Sequence, residues 1–325
     1  PERVTPNDQP GTHSYELSPD GRWALHTYSR FEMPPLVELV RLPGHRSVRV
    51  LVDNSDLEKE AAHLLAPPAE FFSIDMGDAY LDAWLITPDS LDPEGSYPLL
   101  VFVYGEPAGQ TVLDRWGGNR MLFHRALANA GFVIASFDNR GTPAPRGTAW
   151  RKMVYGTIGD LSSKDQAAAV EALVKERSYI DGTRVAVWGW SGGGSNTLNC
   201  MFRFPEIFKV GVSVAPVPDQ RLYDTIYQER YMGLPTGNAE GYRLGSPINF
   251  AEGLEGRLLI IHGTGDDNVH YQGTEKLVNR LIALGKPFDL MVYPNRSHSI
   301  REGEGTELHV YSLIARYLVE ARWQN

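Results

Sequence analysis

One cysteine, Cys200, is the whole thiol content of this chain. That excludes an intramolecular disulfide and any metal site built on several cysteines. Its surroundings, Thr197 to Phe204, are rich in apolar residues and read as a buried helix. A lone cysteine suits the cytoplasm and the periplasm alike, so it does not fix a location. No apolar run approaches the roughly 18–20 residues that a membrane-crossing helix needs. Pro1 to Pro10 have neither a basic start nor an apolar stretch, so no signal peptide is legible, and no initiator methionine stands in front. Basic runs are lacking too. The 31 Lys and Arg against 40 Asp and Glu leave a net charge of −9, which argues against nucleic acid as a partner. No glycine-rich phosphate loop follows a first strand, so no nucleotide cofactor is expected, and no other cofactor or metal is read from the sequence. Repeats of fixed period and low-complexity tracts are likewise missing.

What is present is enough for a large core: 325 residues, 42% of them hydrophobic. The first sixty residues carry four short runs rich in β-branched and aromatic side chains, Ser14 to Leu17, Trp23 to Tyr28, Leu36 to Leu42 and Ser47 to Val52. Turn signals such as Ser18-Pro19-Asp20-Gly21 separate them, and the pattern predicts one small antiparallel sheet of the kind that forms a propeller blade. A charged, helix-prone joint, Asp56 to His63, follows. Phe71 to Met76 and Tyr80 to Thr87 then read as antiparallel strands. Beyond them, apolar strands alternate with helical patterns: strands at Leu99 to Tyr104, Phe132 to Phe137, Arg184 to Gly189, Val210 to Ala215, Leu258 to His262 and Phe288 to Tyr293. This alternation predicts an α/β fold with a mostly parallel sheet covered on both faces. The expected division is residues 1–58 for the blade-like segment and 59–325 for the α/β domain.

The chemistry concentrates at strand ends. Gly189-Trp190-Ser191-Gly192-Gly193 is a G-x-S-x-G run entered from the strand Val185 to Trp188 and followed by a helix, the context of a nucleophile elbow. Small neighbours are required there because a sharp strand-to-helix turn leaves no room for a Cβ. A serine hydroxyl needs a base, and the base needs an orienting carboxylate. The α/β-hydrolase fold places them later in the chain, in the order Ser, acid, His. His298 follows the last strand and fills the base position; Asp266 and Asp267 both follow the strand ending at His262, and spacing does not choose between them. His262, Asp266 and His270 straddle a strand end, a loop and a helix start and are not read as a metal site. His13, His26, His45, His63, His124 and His309 have no partner pattern and read as surface or packing residues.

Longer runs carry a specific resemblance. Trp188 to Gly193, Val214-Ala215-Pro216-Val217, Tyr227 to Pro235 and His262 to His270 resemble the dipeptidyl peptidase IV branch of the prolyl oligopeptidase family. Gly11-Thr12 with Ser14-Tyr15, and Arg49-Val50-Leu51 with Asp53-Asn54-Ser55, are similar to its last propeller blade. The resemblance implies a serine peptidase acting on short peptides, with an upstream propeller, a periplasmic or secreted address, and room for a homodimer. It implies Ser191 as nucleophile, Asp266 as the acid and His298 as the base. Tyr104 and the Gly192 amide would be the oxyanion donors. Val217, Tyr223, Tyr227 and Val269 would line the pocket for P1, the residue before the scissile bond, usually proline, with Asn268 holding the substrate backbone. An acyl-aminoacyl peptidase or carboxylesterase on the same fold is the alternative. Two departures stand out: Gly192 replaces an aromatic residue, and Gln220 replaces a pocket tryptophan. Both remove wall and predict a weakened proline preference with an ill-satisfied Gln220 amide, unless a side chain from the loop Gly237 to Tyr242 refills the space.

Overall fold

In the computed structural model, which describes residues 3–321, the four N-terminal runs form strands β1 (Thr12–Leu17), β2 (Trp23–Arg30), β3 (Met33–Arg41) and β4 (Arg46–Val52). They pair antiparallel in sequence order. The Ser18 to Gly21 signal makes the first turn, closed by Ser18 N donating to Trp23 O at 2.9 Å, with Gly21 at φ 65°. β4 is exposed along its whole length, including Val48, Val50, Leu51 and Val52. The outermost ends of the expected segments, residues 1–2 and 322–325, lie outside the described residues.

One face of this sheet corrects the reading of three histidines as isolated surface or packing residues. Register sets His26 beside Glu38 on one side and Tyr15 on the other. His26 is fully buried; it bonds Glu38 Oε1 through Nδ1 at 3.0 Å and His13 Nδ1 through Nε2 at 2.8 Å. His45 bonds the Tyr15 hydroxyl at 2.8 Å. Among the described residues, His26, Glu38 and His45 gather donor atoms within 4.8 Å of one another.

The rest of the chain continues as α1 (Ser55–Leu65), β5 (Glu70–Asp75), β6 (Tyr80–Ile86), β7 (Tyr97–Phe102), α2 (Asn119–Asn129), β8 (Val133–Asp138), α3 (Gly147–Lys152), α4 (Asp160–Glu176), β9 (Ile180–Trp190) and α5 (Gly192–Arg203). Then follow β10 (Val210–Val214), α6 (Thr225–Met232), α7 (Ala239–Gly245), β11 (Arg257–Gly263), α8 (Gln272–Ala283), β12 (Asp289–Tyr293) and α9 (Thr306–Val319). β5 to β12 form one sheet in the order β12-β11-β10-β9-β7-β8-β6-β5. The pairs from β8 through β7, β9, β10 and β11 to β12 are parallel, and β6 and β5 close the far edge antiparallel. This is the α/β-hydrolase fold.

The continuous apolar runs are explained by two cores, one on each face. Leu99, Val101, Val185 and Val187 join Leu173 and Leu198 on one side. Leu100, Phe102, Ala186 and Trp188 join Leu127 and Ile314 on the other. Successive side chains of a strand point to opposite faces, so a strand buried twice must be apolar throughout. The two sheets meet where Asp114 accepts from the Phe31 amide at 2.8 Å and its carbonyl accepts from Thr12 Oγ1 at 2.9 Å. Among the described residues no helix is long and apolar enough to cross a membrane.

Candidate active site

Ser191 sits between β9 and α5 with φ 61° and ψ −124°, a conformation few non-glycine residues adopt. Its amide donates to Val214 O at 2.8 Å and its carbonyl accepts from Ser195 N at 3.0 Å, which fix the turn from both sides. The small neighbours are sterically required. A Cβ on Gly189 would stand 2.4 Å from Gly193 O, and one on Gly193 would stand 2.2 Å from Val103 O. The strained turn thus lifts the Ser191 side chain to the end of the sheet, over the start of α5, where the helix dipole favours negative charge.

His298 lies past β12, held by Trp190 Nε1, which donates to its carbonyl at 2.9 Å. Its Nδ1 is 2.7 Å from Asp266 Oδ2. Of the two acids left open by spacing, Asp266 is buried and makes this contact, while Asp267 is exposed. Burial alone would raise the Asp266 carboxyl. Hydrogen bonds from His262 and His298, the His298 charge and the Val269 amide outweigh it and hold the group well below the usual carboxylate range. His262 is therefore a support for the acid. Its Nε2 faces both Asp266 Oδ2 at 3.1 Å and Val269 O at 2.9 Å, two acceptors, so it carries the proton there. His270 is exposed and takes no part.

Tyr104, Ser191 and His298 line one cavity of about 270 Å³ together with Trp190. Burial, with the nearby Glu106 charge adding to it, pushes the Tyr104 hydroxyl far up, so it stays a proton donor. Asn196 of α5 donates to Tyr104 O and to Gly192 O, both at 3.0 Å, tying the two expected oxyanion groups to one side chain. A hydroxyl, an imidazole oriented by a carboxylate, and a tyrosine donor around one cavity can perform acyl transfer.

A second, narrower cavity beside Ser191 is lined by Val217, Tyr223 and Tyr227, three of the four residues expected around P1. Asn268 and Val269 also support the acid: their amides bond Asp266 Oδ1 at 3.0 and 2.8 Å, and Asn268 Oδ1 accepts from the Tyr223 hydroxyl at 2.9 Å. Gln220 corrects its expectation. Its side chain is buried and donates to Gly245 O at 3.2 Å, while Gln228 donates to its carbonyl oxygen, so the amide is satisfied within the protein. Nor does the stretch Gly237 to Tyr242, helical from Ala239, refill the space left by Gly192. Glu106 does. A Cβ on Gly192 would stand 2.1 Å from Glu106 Cγ, so the carboxylate side chain occupies the ground directly over Gly192. Glu106 is buried, and its Oε2 accepts from the Tyr227 hydroxyl at 3.0 Å. From the sequence alone Glu106 receives no role. An acid two residues past an apolar strand end, paired with a glycine where an aromatic residue is usual, was the available signal.

Residues 122–322 match the prolyl oligopeptidase family. The chain belongs to the prolyl oligopeptidase family. Within it, the chain is 34% identical to dipeptidyl peptidase 8 of Mus musculus over 98% of its own length and 37% of that protein. It is 38% identical to dipeptidyl peptidase 8 of Homo sapiens over 77% of its own length and 29% of that protein. The crystal structure of Porphyromonas gingivalis dipeptidyl peptidase 4 superposes with a TM-score of 0.90 at 39% identity, covering 96% of this chain and 44% of that one. This member of the prolyl oligopeptidase family thus spans about a third of the length of the curated relatives it matches.

Proposed function

We propose that this chain is the hydrolytic part of a serine peptidase that removes dipeptides from the N-termini of short peptides. Ser191 attacks the scissile carbonyl while His298 takes its proton, and Asp266 holds the imidazole in the tautomer that presents Nε2 to the serine. The oxyanion that forms is met by the Gly192 amide and the Tyr104 hydroxyl. His298 then protonates the departing amine, and water hydrolyses the acyl-enzyme by the same route in reverse. The observation that carries this reading is the shared cavity of Ser191, His298 and Tyr104, with Asp266 bonded behind His298. Removal of dipeptides is supported by the names of the relatives, dipeptidyl peptidase 8 and dipeptidyl peptidase 4.

In this reading residues 1–58 are one blade of a propeller and residues 59–325 the catalytic domain. The exposed, apolar-rich edge strand β4 is the support for a further blade beside it. Such a propeller would narrow access to short peptides and supply the groups that hold a substrate's amino terminus.

A fluorophosphonate probe should label the full-length protein at Ser191, and dipeptide release should follow from short peptides with a free N-terminus. Ser191→Ala and His298→Ala should each lower turnover by several orders of magnitude with the fold intact, because the members act as one unit. Tyr104→Phe should lower kcat by about 10²- to 10³-fold, the scale of one lost oxyanion donor. Peptide turnover near wild type in Ser191→Ala or His298→Ala would overturn the assignment.

A further inference from the structure

The narrow cavity beside Ser191 has an electrostatic character unlike a slot for a proline ring. Its wall over Gly192 is the Glu106 carboxylate, and among the described residues that carboxylate has one hydrogen-bond partner, the Tyr227 hydroxyl. An ionised carboxylate offers about four acceptor sites, so a buried one with a single partner is under-satisfied. Tyr104, Tyr223 and Tyr227 stand around the same space, with the Tyr223 and Tyr227 rings in edge contact at 5.4 Å. Aromatic ring faces attract cations, as carboxylates do. Among the described residues no Lys, Arg or His lines this cavity to neutralise Glu106. The two glutamines at its base are bonded to each other and to the backbone and are not free to serve the acid.

We propose that this cavity selects a P1 residue with a cationic side chain, lysine foremost, through Glu106 and the tyrosine rings around it. The inference rests on the peptidase reading above and names the substrate class of that site. An unbranched lysine stem can lie along the ring faces and bring its ammonium to the carboxylate, where the pair forms a charge-assisted hydrogen bond. Proline offers neither a donor nor a charge and would leave Glu106 with no partner beyond the Tyr227 hydroxyl. Gly192 is part of the same device, because any side chain there would displace the acid.

The experiment is a matched pair of dipeptide amide substrates, lysine against its uncharged near-isostere norleucine at P1, with alanine and proline as references, on the full-length protein. The wild type should favour lysine over norleucine by at least tenfold in kcat/KM. Glu106→Gln should reduce that ratio to near one, whatever it does to absolute rates, and fluorophosphonate labelling of the variant should verify an assembled site. The lysine preference should also grow between pH 6 and pH 8, since burial holds the Glu106 carboxyl up at about 7. The titratable groups that face Glu106 are Tyr104, Tyr223 and Tyr227, all pushed up and protonated throughout that range. Dividing by the norleucine rate cancels the titration of the triad. A norleucine rate equal to or above that of lysine, or a lysine preference that survives Glu106→Gln, overturns the inference while leaving the peptidase intact. No peptide turnover at all from labelled protein would instead overturn the peptidase reading.

Discussion

Glu106 is the residue whose chemistry depends most on its neighbours. Burial raises its carboxyl to about 7 against the lowering effect of the Tyr227 hydrogen bond, from an ordinary 4.5. Below about pH 4.5 the group is neutral in the folded and unfolded chain alike. As pH rises toward and through 7, the unfolded chain ionises first and stability is lost, to a limit of about 3 kcal/mol. Glu106→Gln removes this titration and keeps the shape. We expect the variant to gain several degrees in Tm over the wild type at pH 8 and little at pH 5, read by thermal denaturation at both. Equal shifts at the two pH values would show that the carboxyl titrates normally. The proposed triad was legible as a set of candidates because a strand end, a glycine-flanked serine and a late histidine are local features of the sequence. Glu106 was not, because its role comes from a Gly192 that is remote in sequence and touches it only after folding. Asp266 was legible as one of two; only burial and the contact with His298 separate it from Asp267.

At the scale of elements, the long strands were readable because burial on both faces imposes unbroken apolar runs, as in β7 and β9. The helices α6 and α7 were not. Each is too short to show a period, and their apolar residues Met232 and Tyr242 pack with Val154 and Ile158 in a small cluster away from the sheet. The N-terminal strands were placed to within a few residues, yet their histidine face was missed, since register and not sequence proximity assembles it. Proton counting shows what that face holds. Gln9 O can only accept, so His13 donates to it at 2.8 Å through Nε2, while His13 Nδ1 meets His26 Nε2 at 2.8 Å. His26 Nδ1 then faces Glu38 Oε1, and one proton must lie between them. Removing one partner of such a buried pair typically costs about 3 kcal/mol or more. Glu38→Ala should therefore destabilise the N-terminal sheet by about that amount in denaturant unfolding, and Glu38→Gln by less. A neutral Glu38→Ala would mean the network contributes nothing.

For the whole molecule, parallel strands place the expected triad and oxyanion residues at one end of the sheet. Tyr104 and Glu106 follow β7, Ser191 follows β9, Val217 follows β10, Asp266 follows β11 and His298 follows β12. Sheet order was not readable from the alternation of elements, because many orders share it; the resemblance supplied the fold. The segment after β7 also does a second duty. It starts at Tyr104 and Glu106 and runs on to Asp114 and Trp116, which hold Thr12, Phe31 and Ser29 of the four-stranded sheet. Between these ends it is fastened to the large sheet: Asp138 of β8 accepts from the Thr111 amide at 2.8 Å, and Trp84 of β6 donates to Thr111 O at 2.9 Å. In mechanical terms the segment is a bracket bolted at its middle. Rocking of the N-terminal sheet loads the outer arm and is grounded at Thr111, so the inner arm that bears Tyr104 and Glu106 keeps its aim while the outer arm gives.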